Sequence, residues 1–177
     1  MTPEHVRDAA ALAAVFSFFA MAWFGWAQEA PPRRWLWPLR VGSILAGLVL
    51  IGGGLLAWRH WSDGTVFDEQ VGASFGIIVG IEFAAAGLGA GLLAWRKHAD
   101  LISPWIAFVV GVHLFPVAVV LDIPAVHLTG VLVTVASLTA VPLARAKKLT
   151  PSAVVGALVG PILLVSAALS LLDALTR

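Results

Sequence analysis

The chain contains no cysteine, and only 12 % of its 177 residues are charged. Without cysteine there can be no disulfide, no thiolate metal ligand, no cysteine nucleophile, no dithiol redox pair and no CxxCH attachment of haem. The formal net charge is +1, so the chain has no strong basic or acidic field. Composition therefore predicts neither a nucleic-acid partner nor an acidic one.

Several motifs that mark common enzymes are also missing. The sequence has no HExxH, no P-loop and no GxGxxG fingerprint. No lysine falls inside a predicted membrane span, which excludes a retinal Schiff base there. These absences favour a protein that is not an enzyme and leave open acid–base chemistry by residues within the membrane.

What the chain has in abundance is apolar sequence, since 60 % of its residues are hydrophobic. The apolar residues come in runs of about 20, the length that a helix needs to cross a bilayer. We predict an all-α, polytopic membrane protein: a single transmembrane domain over residues 1–177, forming a six-helix bundle in the cell membrane. The lipid bilayer is its expected surrounding, and the first span is expected to be retained, not cleaved as a signal peptide. The six predicted spans are 9–28, 40–58, 72–95, 104–121, 124–144 and 151–172.

Local residues predict where some of these spans begin. Ser103-Pro104 and Thr150-Pro151 each place a hydroxyl before a proline, the pattern of an N-cap followed by the first helical residue. Asp122 is expected to cap the fifth span in the same way, across a very short connection from the fourth. Spans four and five are therefore predicted to be antiparallel neighbours.

The distribution of basic residues predicts the orientation of the bundle. Eight of the eleven Lys and Arg residues fall after spans one, three and five: Arg33, Arg34, Arg40, Arg96, Lys97, Arg145, Lys147 and Lys148. Cytoplasmic loops carry such an excess, so both termini are predicted to be non-cytoplasmic.

Glycine-rich helix faces predict close helix packing. Gly72, Gly76 and Gly80 form a ridge along span three, and Gly156 and Gly160 form a second motif in span six. Small residues at four-residue spacing let another helix approach closely. Either packing within the bundle or a homo-oligomer seam would use these faces, and the spacing alone does not choose between them.

Two ionisable residues lie deep in the predicted spans, Glu82 in span three and His113 in span four. At 1.5 Å per residue they lie about 15 Å and about 12 Å below the outer boundary, so their depths match. Ionisable side chains are costly in hydrocarbon, turn inward and find partners. We therefore predict a Glu82–His113 pair as the centre of a binding or translocation site, with a buried structural pair as the alternative.

Three further residues complete the predicted site. Pro116 frees the carbonyl of Val112, which could serve a ligand or simply mark a kink. His127 and Thr134 share a face of span five with small polar residues and could line a polar cavity, or bond to their own helix. The ligand set is incomplete for any particular metal, so the metal and any cofactor are left unknown.

These features predict a small multi-pass transport protein. The leading hypothesis is proton-coupled transport, or conduction, of protons, small cations or a small solute, with Glu82 as the titrating group. The first alternative is an intramembrane enzyme acting on a lipid-like substrate with Glu82 and His113 as acid and base. The second is a non-catalytic membrane subunit or scaffold in which the pair only fixes helix packing.

Overall fold

The computed structural model describes residues 5–177, and this part of the chain is all-helical. Six of its helices are long and apolar enough to cross a membrane, which confirms the predicted number of spans. Short 3-10 turns at Arg33–Trp35 and Ala99–Leu101 precede the second and fourth. The six helices are α1 (Val6–Ala27), α2 (Leu36–Arg59), α3 (Glu69–Trp95), α4 (Ile102–Val120), α5 (Pro124–Lys147) and α6 (Pro151–Leu175).

The predicted helix starts are right at one place and wrong at two. Helix α6 begins as expected, with Thr150 at the N-cap and Pro151 in the first turn, although the Thr150 hydroxyl donates to the carbonyl of Ala30. Helix α4 begins before Ser103, which is buried inside it, because the 3-10 turn already leads the backbone into the helix. Asp122 is not the cap of α5, since it adopts a left-handed φ of 51° in the turn before Ile123.

Helices α1 and α6 form the centre of the bundle. They pack closely on each other, α2 packs on α1, and α5 joins α6 to α4. A Cβ placed on Gly156 would lie 2.5 Å from the carbonyl oxygen of Trp23, so glycine is what lets α6 approach the backbone of α1. A Cβ on Gly160 would likewise meet the ring of Phe24. The predicted close-contact motif in span six is thus used inside the bundle.

Helix α3 lies at the edge of the bundle. None of its residues is buried, and α4 is the helix against which it packs extensively. The predicted ridge of Gly72, Gly76 and Gly80 meets nothing, because no atom lies within 4 Å of a Cβ placed on any of them. Within residues 5–177 the ridge therefore packs against no other helix, and a homo-oligomer seam there stays a prediction.

Alternating helices give the bundle two ends. The terminus-bearing end consists of residues 5–8, 60–68, 121–123 and 175–177, and the basic end consists of residues 28–35, 96–101 and 148–150. Side-chain contacts connect separate segments at each end: Asp8 accepts hydrogen bonds from Thr65 and Val66, and Thr150 donates to Ala30. The two ends of the described chain consequently lie on the same side of the bundle.

Candidate functional site

Glu82 and His113 meet between α3 and α4. Nε2 of His113 lies 3.3 Å from Oε2 of Glu82. The two side chains are largely withdrawn from the surface, with 12 % of the glutamate and 16 % of the histidine exposed. The equal membrane depths predicted for these two residues therefore correspond to a direct contact across the α3–α4 interface.

The other ring nitrogen of His113 determines how protons are arranged in this pair. Nδ1 lies 2.7 Å from the carbonyl oxygen of Val110, one turn earlier in α4. A carbonyl only accepts hydrogen bonds, so we assign the hydrogen of that bond to Nδ1. A neutral His113 then presents an unprotonated Nε2 to Glu82. The Nε2–Oε2 contact is consequently satisfied by one proton, carried either by the carboxyl or by the imidazole.

Trp105 fixes the position of α3 on α4 close to this pair. Its indole Nε1 donates a hydrogen bond of 3.2 Å to the carbonyl of Ala85. The indole also occupies the space beside Gly89, where an added Cβ would lie within 2.7 Å of three ring atoms. The small residues on the Glu82 face of α3 therefore make room for a tryptophan of α4, and this fit holds Glu82 at the level of His113.

The pair lines a cavity of about 120 Å³ that extends toward the terminus-bearing end. Its walls come from α1, α3, α4, α6 and the α2–α3 loop, and apart from Asp8, Glu82 and His113 every lining residue is apolar. Val15 and Phe19 line it and are also 49 % and 37 % exposed on the bundle surface. The cavity thus opens sideways between α1 and α3, where lipid would surround the protein.

Asp8 holds the α2–α3 loop over the end of this cavity. Its carboxylate is 6 % exposed and accepts hydrogen bonds from the Thr65 hydroxyl at 2.7 Å and from the Val66 amide at 2.8 Å. Val66 and the adjacent Phe67 line the cavity. Next to Asp8 in the chain, Arg7 has its guanidinium 3.7 Å from the ring centre of Trp61. The loop is therefore attached to the start of α1 by both a carboxylate and a cation–π contact.

The other predicted site residues do not line the cavity beside the pair. Pro116 is exposed, does not line the cavity and does not break α4, which is one continuous helix. Thr134 donates to the carbonyl of Gly130 on its own helix and packs against Gly111 of α4. His127 is half-buried, with its ring 6.1 Å from that of Phe115. The structure thus brings together Glu82 and His113, and the other three residues do not line the cavity beside this pair.

A second cavity, of about 450 Å³, lies between α1, α5 and α6. The polar side chains that line it are Thr129, Ser166, Ser170 and Asp173. Thr129 and Ser166 hydrogen-bond each other at 2.8 Å, and the Ser170 hydroxyl donates to the carbonyl of Ser166. Most residues that line this cavity are apolar, and Thr129, two residues from His127, is the α5 residue that contributes a hydroxyl to it; His127 and Thr134 do not line it.

The donor set around the pair is small. Within residues 5–177 no three His, Asp or Glu side chains group closely enough to hold a metal ion together.

Sequence reasoning missed the roles of Asp8 and of the α2–α3 loop. An acidic residue in the first turn of a helix is typical of a favourable helix-dipole interaction, so Asp8 gave no reason to expect a partner 57 residues away. The nearest available signal was the Thr65 hydroxyl in the loop between α2 and α3, and one hydroxyl in a loop is a weak signal.

Comparison with protein-family models, with curated proteins and with solved structures found no match for this chain.

Proposed function

We propose that this protein binds a small, largely apolar molecule from the bilayer and transports it with exchange of a proton at Glu82–His113. The observation that carries this proposal is the 3.3 Å contact of the pair at the wall of an apolar, sideways-open cavity. The cell membrane is the proposed location, with the terminus-bearing end outside the cytoplasm because the opposite end holds most of the Lys and Arg residues.

The proton arrangement supports this choice. Because Nδ1 of His113 donates to Val110, one proton satisfies the contact between Nε2 and Oε2. A ligand that donates a hydrogen bond or carries positive charge competes for Glu82, and one that accepts competes for the proton itself. Binding such a molecule therefore changes the affinity of the pair for its proton, so that a proton is released to water or taken up from it, which is what coupling requires.

The lining of the cavity favours an apolar solute over a small cation. A hydrated cation entering it would lose its water and find few oxygen ligands in return, since the lining is apolar except at Asp8, Glu82 and His113. An apolar molecule loses little solvation free energy on entry, and its one polar group can hydrogen-bond the pair.

The sideways opening also favours one other function. A lipid-like substrate could reach Glu82 and His113 from the bilayer between α1 and α3, where Val15 and Phe19 are exposed. An intramembrane enzyme using the pair as acid and base is therefore the second candidate. It would convert its substrate without moving protons across the membrane, and this difference separates the two.

Proton movement in liposomes tests the proposal. The full chain is reconstituted with a pH-sensitive dye inside, and ring-sized probes such as benzylamine and phenol are added outside. Probe-dependent pH change above that of protein-free liposomes is expected, and Glu82→Gln should abolish it by removing the titrating carboxyl. Glu69→Gln, which alters an exposed glutamate in the first turn of the same helix, should leave the pH change intact. Equal traces from wild type and Glu82→Gln would contradict the proposal.

A further inference from the structure

The two cavities are separated by very little protein. Three side chains, those of Leu12, Phe16 and Ile123, line both of them. Phe16 and Ile123 are buried, with 5 % and 2 % of each exposed. The wall between the cavity at Glu82–His113 and the cavity beside α5 and α6 is therefore a single layer of apolar side chains.

The smaller cavity is too small for a complete lipid-like molecule. Its volume of about 120 Å³ is slightly below the roughly 150 Å³ of an engineered apolar cavity that accommodates benzene. One ring, or a head group of that size, fills it. Any apolar chain attached to such a head must continue elsewhere, either into the bilayer between α1 and α3 or past Phe16 into the larger cavity.

The larger cavity is suited to an apolar chain. Its hydroxyl groups are already engaged: Thr129 with Ser166, Ser166 with the carbonyl of Ile162, and Ser170 with the carbonyl of Ser166. These hydroxyls consequently have little need of a polar ligand. Leu128 and Leu169 line the cavity and are 62 % exposed, so it too opens toward lipid.

We propose that the two cavities form one binding site for a single-chain amphiphile. Its ring-sized, proton-exchanging head lies against Glu82 and His113, and its chain passes Phe16 to lie between α5 and α6. Phe16 is the residue that moves, because rotation about its two side-chain torsions displaces its ring without shifting the backbone. The space that this rotation opens sets the chain length that the site accepts. This inference rests on the proposed function and names the class of its solute.

A series of 4-alkylphenols tests the inference. The full chain in lipid nanodiscs is titrated with radiolabelled 4-nonylphenol, and phenol and 4-ethylphenol are measured by competition. Each variant is compared with wild type at every chain length, so that partition of the probe into lipid cancels. Glu82→Gln should weaken the binding of all three probes, because all three carry the same phenol head.

The chain-length dependence should respond to the shared wall and the larger cavity. Phe16→Trp blocks the passage and should weaken 4-nonylphenol by about tenfold or more relative to phenol, the loss expected when several methylenes leave an apolar site. Leu169→Trp narrows the larger cavity and should also weaken the binding of 4-nonylphenol relative to phenol. Because Leu169 is exposed, this variant still tests the inference if the Phe16 variant fails to fold. Phe19→Ala alters only the smaller cavity and should leave the chain-length dependence unchanged.

The result that overturns the inference is an identical chain-length dependence in wild type, Phe16→Trp and Leu169→Trp, which would place the chain in bulk lipid. If phenol still requires Glu82 in that case, the proposed function stands without the joined site. Absence of Glu82-dependent binding by every member of the series also overturns the inference, and the liposome assay with benzylamine then shows separately whether proton exchange fails with it.

Discussion

Glu82 and His113 are tolerable in an apolar bundle because each supplies what the other needs. With the hydrogen on Nδ1 committed to Val110, the remaining nitrogen of the histidine can only accept a proton from Glu82 or hold one for it. Removing either partner leaves the other facing the cavity without its hydrogen-bond partner, whereas removing both leaves neither. The two substitutions should therefore not be additive.

We expect Glu82→Leu and His113→Leu each to lower the free energy of unfolding, and the double variant to lower it by less than the sum. The interaction energy should fall within about 0.5–3 kcal/mol, the range for residues in contact. Unfolding in mixed micelles of mild detergent and SDS measures each variant. Additive losses would show that the contact contributes nothing to stability.

Ser17 gives a second prediction at the scale of one side chain. It is fully buried in α1, and its Oγ has no hydrogen-bond partner in the described part of the chain. Ser137, also buried, donates to the carbonyl of Thr134 at 2.7 Å. Because an unsatisfied hydroxyl costs about 1–3 kcal/mol, Ser17→Ala should raise the thermal midpoint and Ser137→Ala should not. A lower midpoint for Ser17→Ala would mean that its hydroxyl is satisfied.

At the scale of elements, the α2–α3 loop depends on Asp8. The Asp8 carboxylate is its buried anchor, through Thr65 and Val66. Asp8→Ala should release the loop and increase amide hydrogen exchange over residues 61–68 by more than tenfold, about the effect of losing 1.4 kcal/mol or more of local stability. Glu69→Ala, which removes an exposed carboxylate just after the loop in the first turn of α3, is the matched control. Unchanged exchange in Asp8→Ala would assign the anchoring to Arg7 and Trp61 instead.

Helix packing makes opposite predictions for two glycines. In Gly156→Ala the new methyl group would meet the backbone of α1, with the Trp23 oxygen 2.5 Å away, and neither backbone can yield cheaply. A loss of about 1–3 kcal/mol is expected from such overpacking. Gly76→Ala adds a methyl group to open space and should be neutral or slightly stabilising. Unfolding of both variants side by side measures the difference, and equal stabilities would contradict the packing described for α6.

The elements were predictable where the physics is local or periodic. Apolar runs of membrane length located all six helices, and the equal depths of Glu82 and His113 were sufficient to suggest their contact. Contacts that depend on distant segments were not predictable, as Asp8 with the α2–α3 loop shows. The ridge at Gly72, Gly76 and Gly80 was expected to receive a helix; small residues show that a face can be approached, but nothing in the spacing says whether a helix of the same chain arrives.

At the scale of the whole molecule, the absence of cysteine makes the orientation easy to test. Single cysteines at Arg177 and Lys147 lie at opposite ends of the bundle. We expect Arg177→Cys to react with a membrane-impermeant maleimide in intact cells, and Lys147→Cys to react only after the membrane is permeabilised. The reverse pattern would invert the proposed orientation.

Helix α3 has one more consequence for the whole protein. Because none of its residues is buried and α4 is the helix on which it packs extensively, we expect acyl chains to complete the surroundings of the helix that carries Glu82. Membrane thickness and fluidity thereby become determinants of where that carboxyl lies. Short-chain or sterol-stiffened bilayers should shift the site's affinity even though no residue of the protein has changed.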